Sequence, residues 1–249
     1  HRLLIQTGLQ NLSKKINIIF LIPNYEMGEW SFNKIFLKNN TLEDLYKKIY
    51  PNKVFRPTLP LLISSESNNV ELISNESSEI IKIFNCCKDD SIEGLKSIKT
   101  CSEDLLELIN NDINNGVYKC GFARNQNAYI KSSNKLFKAL HKIEKTLEVN
   151  GGPWILGQEI TTADIYLFPT MIRWELIYNK LFKCTEKDIE EFRNIVLWRY
   201  KFFNIKGISD TCFDKEWVRD YYQAIFPLNP NQIVPLERSL DEIINLKTF

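Results

Sequence analysis

Histidine is the scarcest reactive residue type in this chain of 249 residues, which contains only His1 and His141. A Ser-His-Asp triad needs a histidine, and a multi-histidine metal centre needs several. His141 lies in a charged helical pattern and is expected at the surface. We therefore expect the chemistry of this protein to depend on a thiol, on tyrosine or on the reactive group of a bound molecule.

The six cysteines show neither a Cys-x-x-Cys pair nor a regular spacing. This distribution argues against a zinc site and against a small disulfide scaffold. No secretion signal is visible, so we expect reduced thiols and a cytoplasmic location. The chain begins at His1 without a Met, so its natural start is not shown, and an organellar targeting segment upstream of His1 stays an open alternative.

The chain also has no excess of charge of one sign, because 32 Lys and Arg residues balance 31 Asp and Glu residues. Such a balance does not favour nucleic acid or a membrane surface as a partner. The longest apolar run, around Ile16–Ile22, has the length of a buried strand and not of a transmembrane helix. Neither nucleic acid nor a membrane is expected as a partner.

The first 85 or so residues predict a mixed α/β domain. Apolar and β-branched residues predict strands at Ile16–Ile22, Thr58–Ile63 and Val70–Ile73. A polar turn, Ser64–Asn69, predicts that the last two strands are antiparallel neighbours. Helical spacing predicts helices at residues 2–12, at 42–49 within a long loop from 24 to 55, and from residue 77 to 84.

Everything after residue 100 predicts helices. A charged, turn-rich stretch at 88–100 indicates a linker between a domain at 1–87 and an all-helical domain at 101–249. One helix start is clear, because Thr161 and Asp164 form a capping box. A C-terminal tail is expected to follow the packed part from Pro227. The expected helices are 103–117, 128–149, 163–180, 188–202 and 214–222.

Two short motifs together favour a small peptide ligand. Pro60 could form a cis peptide bond with Leu59, although a proline that starts an edge strand is the simpler reading. A cis-proline turn leaves backbone groups free to pair with an extended peptide. One hairpin later, Glu76-Ser77 opens a helix whose N-terminus attracts a carboxylate, while Glu76 can hold an ammonium group.

The order of these elements resembles the thioredoxin-like half of a glutathione transferase. Longer strings resemble more narrowly the Xi class, the glutathionyl-hydroquinone reductases, in collinear order from His1 to about Leu236. The strings are Trp30 after Met27-Gly28-Glu29, SNESSEIIKIFN at 74–85, NNGVYKCGFA at 114–123, TADIYLFPTMIRW at 162–174, Phe182-Lys183-Cys184, and Asn229-Pro230.

The resemblance implies a nucleophile that the sequence given does not contain. The active-site motif of the family is Cys-Pro-Trp-Ala-His-Arg, and His1-Arg2 matches its last two residues. The catalytic Cys is therefore expected four residues before His1, and the first, central strand of the thioredoxin-like fold is expected upstream as well. A truncated, inactive chain is the alternative. In the family, this Cys attacks the sulfur of a glutathionyl-hydroquinone, and a second glutathione resolves the mixed disulfide.

The resemblance also implies a site on each domain and a homodimer formed through the helical domain. The residues implied to bind the cosubstrate glutathione are Trp30, Arg56, the backbone of Leu59, Pro60, Glu76 and Ser77. The residues implied to line the acceptor pocket for a quinol are Tyr118, Tyr178 and Tyr221, although tyrosines on helices are usually packing residues. Arg173, in an apolar helix, is expected to play a structural part by meeting a carboxylate or backbone carbonyls.

Three functions remain open from the sequence. The first is glutathione-dependent reduction of glutathionyl-hydroquinones, which the aromatic residues of the acceptor side favour. The second is a general Cys-type glutathione thiol transferase. The third is a non-catalytic glutathione-transferase-like interaction module, which a residue other than Cys or Ser four positions before His1 would favour.

Overall fold

The computed structural model divides into two compact units. The sheet-containing unit comprises Gln6–Ser97, and the helical unit comprises His1–Ile5 together with Ile98–Phe249. The residues that the structure describes are 1–12, 15–24, 29–53, 56–66, 69–86, 98–225, 227–236 and 238–246. Residues 88–97 of the expected linker lie outside these ranges.

Within the described residues, the sheet-containing unit holds five strands in two antiparallel sheets. Strands β1, β2 and β3 form one sheet in that order, and β4 pairs with β5 in the other. Helix α1 begins at Arg2, in the other unit by this division, and ends at Leu9. The bounds are β1 Leu21–Asn24, β2 Glu29–Phe36, β3 Asn39–Thr41, α2 Leu42–Ile49, β4 Leu62–Glu66, β5 Asn69–Ser74 and α3 Ser77–Cys86.

Helix α2 forms the core of this unit. Its N-terminus is capped by Thr41, whose hydroxyl accepts the Asp44 N–H at 3.1 Å while the Asp44 carboxylate accepts the Thr41 N–H. Leu42, Leu45 and Tyr46 are buried and contact apolar residues of both sheets. Burial of one large apolar side chain contributes about 1.5–3 kcal/mol, so this face of α2 fixes both sheets to one helix.

Two strand predictions and one loop prediction are wrong in detail. The predicted strand Ile16–Ile22 is displaced, since β1 begins only at Leu21 and residues 16–20 are not part of a strand. The predicted loop from 24 to 55 contains β2 and β3, which pair with each other. The strand predicted from Thr58 begins only at Leu62, whereas the predictions for α1, α2, β5 and α3 are confirmed within a few residues.

The helical unit contains seven further α-helices and two π-helical turns within the described ranges. The first π-helical turn, Leu108–Asn114, joins α4 to α5, and the second, Trp174–Tyr178, follows α7. Short 3₁₀ turns at Ile189–Glu191 and Ser209–Thr211 precede α8 and α9. The helices are α4 Glu103–Glu107, α5 Asn115–Gly121, α6 Gln126–Asn150, α7 Thr162–Met171, α8 Arg193–Phe203, α9 Asp214–Ala224 and α10 Leu240–Leu246.

The core of the helical unit surrounds α7, which is apolar on nearly all sides. Asp164, at its first turn, is fully buried and accepts hydrogen bonds from the Thr161 N–H at 2.8 Å and the Trp198 Nε1–H at 2.8 Å. Arg199 of α8 is buried too and forms a bidentate pair with Glu175, at 2.6 and 2.7 Å. Charged groups inside this core are therefore compensated by hydrogen bonds and by an opposite charge.

The C-terminal segment is not an unpacked tail, and that prediction is wrong. Leu240, Ile243 and Ile244 of α10 are buried. The Leu240 N–H donates to the Asp214 carboxylate at the start of α9, at 3.0 Å. The i, i+3, i+4 spacing of the three apolar residues gives α10 one apolar face, and burial of that face holds the segment against the helical unit.

Candidate functional site

Three tyrosines of the helical unit meet at their hydroxyl groups, and they are named here the tyrosine cluster. Tyr118 lies on α5, Tyr178 ends the second π-helical turn, and Tyr221 lies on α9. The Tyr221 hydroxyl lies 2.6 Å from that of Tyr118 and 3.1 Å from that of Tyr178. Tyr118 is 37% exposed and Tyr178 only 4%, so the cluster extends from the surface into the core.

The ring of Phe182 supports the tyrosine cluster from behind. Its centroid lies 5.2 Å from that of Tyr118, 5.3 Å from that of Tyr178 and 6.0 Å from that of Tyr221, each in an edge-to-face arrangement. Gly121 allows this placement, because a Cβ atom there would come within 2.9 Å of Phe182 Cγ. The close approach of α5 therefore helps to fix the positions of the three phenols.

Two phenols of the cluster, those of Tyr118 and Tyr178, are neutral at physiological pH because their pKa values are raised. Burial raises the pKa of Tyr178 well above its usual value. Burial is also the main cause that raises the pKa of Tyr118, and the neighbouring Tyr221 is the second cause. The Arg173 guanidinium opposes the shifts of both Tyr118 and Tyr178. A neutral phenol donates and accepts, so one O–H of the cluster can turn outward while the other hydroxyls remain hydrogen-bonded to each other.

His1 is held at the start of α1 by residues of the helical unit. Its Nε2 lies 3.0 Å from Thr211 Oγ1, and its Nδ1 lies 3.1 Å from Arg173 Nη1. Arg173 donates to the Pro169 carbonyl at 2.6 Å, as predicted, and its guanidinium lies 3.7 Å from the centroid of the Trp217 ring. Since the arginine has only donors, His1 Nδ1 accepts, which leaves Nε2–H to donate to Thr211.

The Glu-Ser motif lies at the start of α3, as its sequence predicts. Ser77 is the first residue of the helix, and the Glu76 carbonyl accepts the N–H groups of Glu79 and Ile80. The Glu76 N–H donates to Ser74 Oγ at 3.1 Å. The first N–H groups of a helix have no partner within the helix, so this end can bind a carboxylate.

The proline turn precedes β4 in the same unit. The peptide bond between Leu59 and Pro60 is cis, and Leu59 is exposed. Among the described residues, no hydrogen bond occupies the Leu59 backbone N–H or carbonyl. Both groups are therefore available to an extended peptide ligand.

Sequence reasoning missed the residue that connects these two motifs. The Tyr46 hydroxyl on α2 donates to the Thr58 carbonyl at 3.1 Å and accepts from Asn75 Nδ2 at 3.3 Å. Asn75 Nδ2 also lies 3.2 Å from Thr58 Oγ1. Thr58 and Asn75 directly precede Leu59 and Glu76, so the structure brings the two motifs together. The sequence predicted the helix at 42–49, and nothing in it indicated where the hydroxyl of Tyr46 would reach.

The other two residues expected at this site lie apart from that connection. Trp30 lies on β2, opposite Pro23 of β1, and is exposed. Arg56 is exposed in the segment before the proline turn. In the described part of the chain, neither side chain forms a hydrogen bond or an ion pair with the two motifs.

The cysteines of the helical unit are buried or half-buried, which does not suit a nucleophile. Cys120 and Cys184 are buried, and a hydrogen bond between the two thiols raises the pKa of Cys184 and lowers that of Cys120. Burial raises the pKa of Cys212 to about 12. Cys120 is thus a small buried residue. Cys87 lies outside the described residues.

The described ranges contain neither a cluster of metal ligands nor a membrane-spanning helix. Within them, no three His, Cys, Asp or Glu side chains lie close enough together to hold a metal ion. None of the helices in these ranges combines the length and the hydropathy of a membrane span.

The family model for the glutathione S-transferase C-terminal domain matches residues 111–210. Glutathionyl-hydroquinone reductase PcpF of Sphingobium chlorophenolicum is 31% identical over 251 residues, which cover 95% of this chain and 78% of that protein. Glutathionyl-hydroquinone reductase YqjG of Escherichia coli strain K12 is 29% identical over 259 residues, 97% of this chain and 77% of that protein.

Solved structures agree with these matches. Glutathione transferase Xi 1 of Trametes versicolor has a TM-score of 0.83 at 30% identity, with 95% of this chain and 87% of that one covered. The glutathione-bound structure of YqjG has a TM-score of 0.82 at 29% identity, with 97% and 82% covered. The predicted fold class is thereby confirmed as an α/β thioredoxin-like domain followed by an all-α glutathione-transferase domain. By sequence and by structure, this chain belongs to the Xi class of glutathione transferases, the family of the glutathionyl-hydroquinone reductases.

Proposed function

We propose that this protein is an enzyme that reduces glutathionyl-hydroquinones to hydroquinones with glutathione as cosubstrate. The observation that carries the proposal is the tyrosine cluster, in which Tyr118, Tyr178 and Tyr221 lie within hydrogen-bond distance of one another. The names of the relatives, glutathionyl-hydroquinone reductases at about 30% identity, support it.

The proposed nucleophile is a Cys four residues before His1. Its thiolate attacks the sulfur of the adduct, the bond from sulfur to the quinol carbon breaks, and that carbon takes a proton as the hydroquinone leaves. A second glutathione then attacks the mixed disulfide, which restores the Cys and releases oxidised glutathione. The N-terminus of α1 favours the thiolate, because a helix dipole lowers the pKa of a thiol there.

Glutathione itself is assigned to the motifs around the proline turn and the start of α3. We assign its γ-glutamyl carboxylate to the N-terminus of α3 and Ser77, and its ammonium group to Glu76. The backbone of Leu59 before Pro60 pairs with the cysteinyl part of the peptide. Trp30 and Arg56 are proposed as further contacts, supported by the family motif.

The tyrosine cluster is assigned to the hydroquinone. As the carbon–sulfur bond breaks, negative charge develops on a quinol oxygen, and a positioned O–H donor stabilises that charge. Tyr118 is the member of the cluster at the surface, and Tyr221 connects it to the buried Tyr178. Removal of one such donor typically lowers kcat by about 100- to 1,000-fold, and a shared cluster reduces the loss for each member.

Three further assignments are part of the proposal. The domains are 1–87 and 101–249 with a linker at 88–100, supported by the division of the chain between Ser97 and Ile98. The family resemblance supports a homodimer through the helical domain, which light scattering after gel filtration tests. The cytoplasmic location is supported by the free state of the described cysteines, and imaging of the tagged full-length protein tests it.

The test is turnover by the full-length protein, incubated with glutathionyl-menadiol and glutathione while oxidised glutathione is measured. We expect one oxidised glutathione for each menadiol released, and loss of both in a variant with Ser four residues before His1. Tyr221→Phe is expected to lower kcat by about 10-fold or more with little change in glutathione affinity. No turnover by an intact protein that still binds glutathione would contradict the reductase and favour a binding module.

A further inference from the structure

We propose that Tyr46 is a positioning residue for glutathione, which holds two binding segments in register without touching the ligand. The inference rests on the proposed function, since it concerns the binding of the cosubstrate. The ring of Tyr46 lies in the core of the sheet-containing unit, and only the Tyr46 hydroxyl reaches the two motifs.

Three hydrogen bonds close a triangle between α2, the proline turn and the segment before α3. Tyr46 donates to the Thr58 carbonyl at 3.1 Å, and Asn75 Nδ2 donates to the Tyr46 hydroxyl at 3.3 Å. The third side joins Asn75 Nδ2 to Thr58 Oγ1 at 3.2 Å. Each segment is therefore fixed both to the helix and to the other segment.

The triangle lies where backbone pairing stops. Strands β4 and β5 pair from Glu66 and Asn69 as far as Leu62 opposite Ser74, and the register is already irregular at that end. Thr58 and Asn75 lie beyond this last pair, so no strand ladder holds their segments together. The side-chain triangle takes the place of the missing backbone hydrogen bonds.

The position of the triangle couples it to glutathione. Thr58 is one residue from Leu59, whose backbone is assigned to the cysteinyl part, and Asn75 is one residue from Glu76, which is assigned to the ammonium group. Glutathione must contact Leu59 and Glu76 at the same time, so the distance between the two segments determines whether both contacts form. Tyr46 is a firm anchor, because it is only 3% exposed and packs beside Leu42 and Leu45.

If the Tyr46 hydroxyl had only a structural role, its removal would lower the stability of the protein and leave glutathione affinity unchanged. The test therefore measures affinity and stability separately. Tyr46→Phe keeps the ring and removes the hydroxyl. The matched control is Tyr129→Phe in the helical unit, which also removes a hydroxyl that donates to a backbone carbonyl, that of Lys183, at 2.7 Å. Calorimetric titration with glutathione gives Kd, steady-state kinetics give KM and kcat, and urea unfolding gives stability.

We expect Tyr46→Phe to weaken glutathione binding about 3- to 10-fold, as the loss of one or two hydrogen bonds would. KM for glutathione should rise by the same factor while kcat changes less than about 2-fold. Asn75→Ala should show a similar loss, and the double variant less than the product of the two, because both act in one network. Tyr129→Phe should leave Kd unchanged.

An unchanged Kd in folded Tyr46→Phe would overturn the positioning role, and so would an equal loss of affinity in Tyr129→Phe. A wild-type protein that does not bind glutathione would instead contradict the proposed function itself. The two failures are thus distinguished by the titration of the unmodified protein.

Discussion

Asp164 provides the sharpest test of how the helical unit is held together. Its fully buried carboxylate accepts from the N–H of Ile155 at 3.0 Å, the N–H of Thr161 at 2.8 Å and the Nε1–H of Trp198 at 2.8 Å. Asp164→Ala leaves these three donors without an acceptor. Each buried, unsatisfied donor costs about 1–3 kcal/mol, so the free energy of unfolding should fall by about 3–6 kcal/mol after partial relaxation.

Urea unfolding followed by tryptophan fluorescence measures this loss, because four of the five tryptophans lie in the helical unit. The control is Glu148→Ala, which changes an exposed acidic residue of α6 and should change the free energy of unfolding by about 0.5 kcal/mol or less. A loss below about 1 kcal/mol for Asp164→Ala, at an unchanged denaturant slope, would refute the reasoning, because the three donors would then have found other acceptors.

Three further predictions concern the packing at two glycines, the reactivity of two cysteines and the buried ion pair. Gly121→Ala should destabilise the protein by about 1–3 kcal/mol, since its Cβ meets a buried ring, whereas Gly8→Ala, with open space in a helix, should stabilise by up to about 1 kcal/mol; thermal unfolding compares them. In the native protein, Cys86 should react with a thiol reagent long before Cys184, because Cys86 is exposed and Cys184 buried; timed alkylation and peptide mass mapping follow both, and equal rates would contradict the burial. Arg199→Met should cost about 3–5 kcal/mol in urea unfolding, since it removes the bidentate arginine partner of the partly buried Glu175 carboxylate, and a loss under 1 kcal/mol would argue against the ion pair.

Local signals account for the elements that the sequence predicted well. Helix α2 matches its predicted bounds, 42–49, because an apolar face and a capping threonine act within one short segment. The start of α7 was equally local, since Thr161 and Asp164 are three residues apart. Such features depend only on residues that are close in the sequence, so they can be predicted from the sequence alone.

The wrong predictions concern features that depend on residues distant in the sequence. The residues of β2 do not alternate clearly, because Asn33 and Lys34 interrupt the apolar pattern, and the pairing with β1 decides that it is a strand. The burial of Ile243 and Ile244 depends on a surface formed by earlier helices. The i, i+3, i+4 pattern of α10 was present in the sequence, and the prolines before it favoured a tail instead.

The candidate site divides in the same way. The family resemblance pointed to Tyr118, Tyr178 and Tyr221, which composition alone could not separate from packing residues. The structure brings the hydroxyls of these three tyrosines together. No sequence signal led to Tyr46, since its hydroxyl contacts residues 12 and 29 positions away. Positions that act through another residue are visible only once the fold has been determined.

The measurement that tests the central claim most directly is a single-turnover reaction without free glutathione. Full-length protein is mixed with glutathionyl-menadiol, and intact mass and released menadiol are followed together. The account predicts one glutathionyl group bound per chain at the Cys four residues before His1, with one menadiol released, and reversal of the mass shift when glutathione is added. Substrate that stays intact beside an unmodified protein would contradict the proposed reductase.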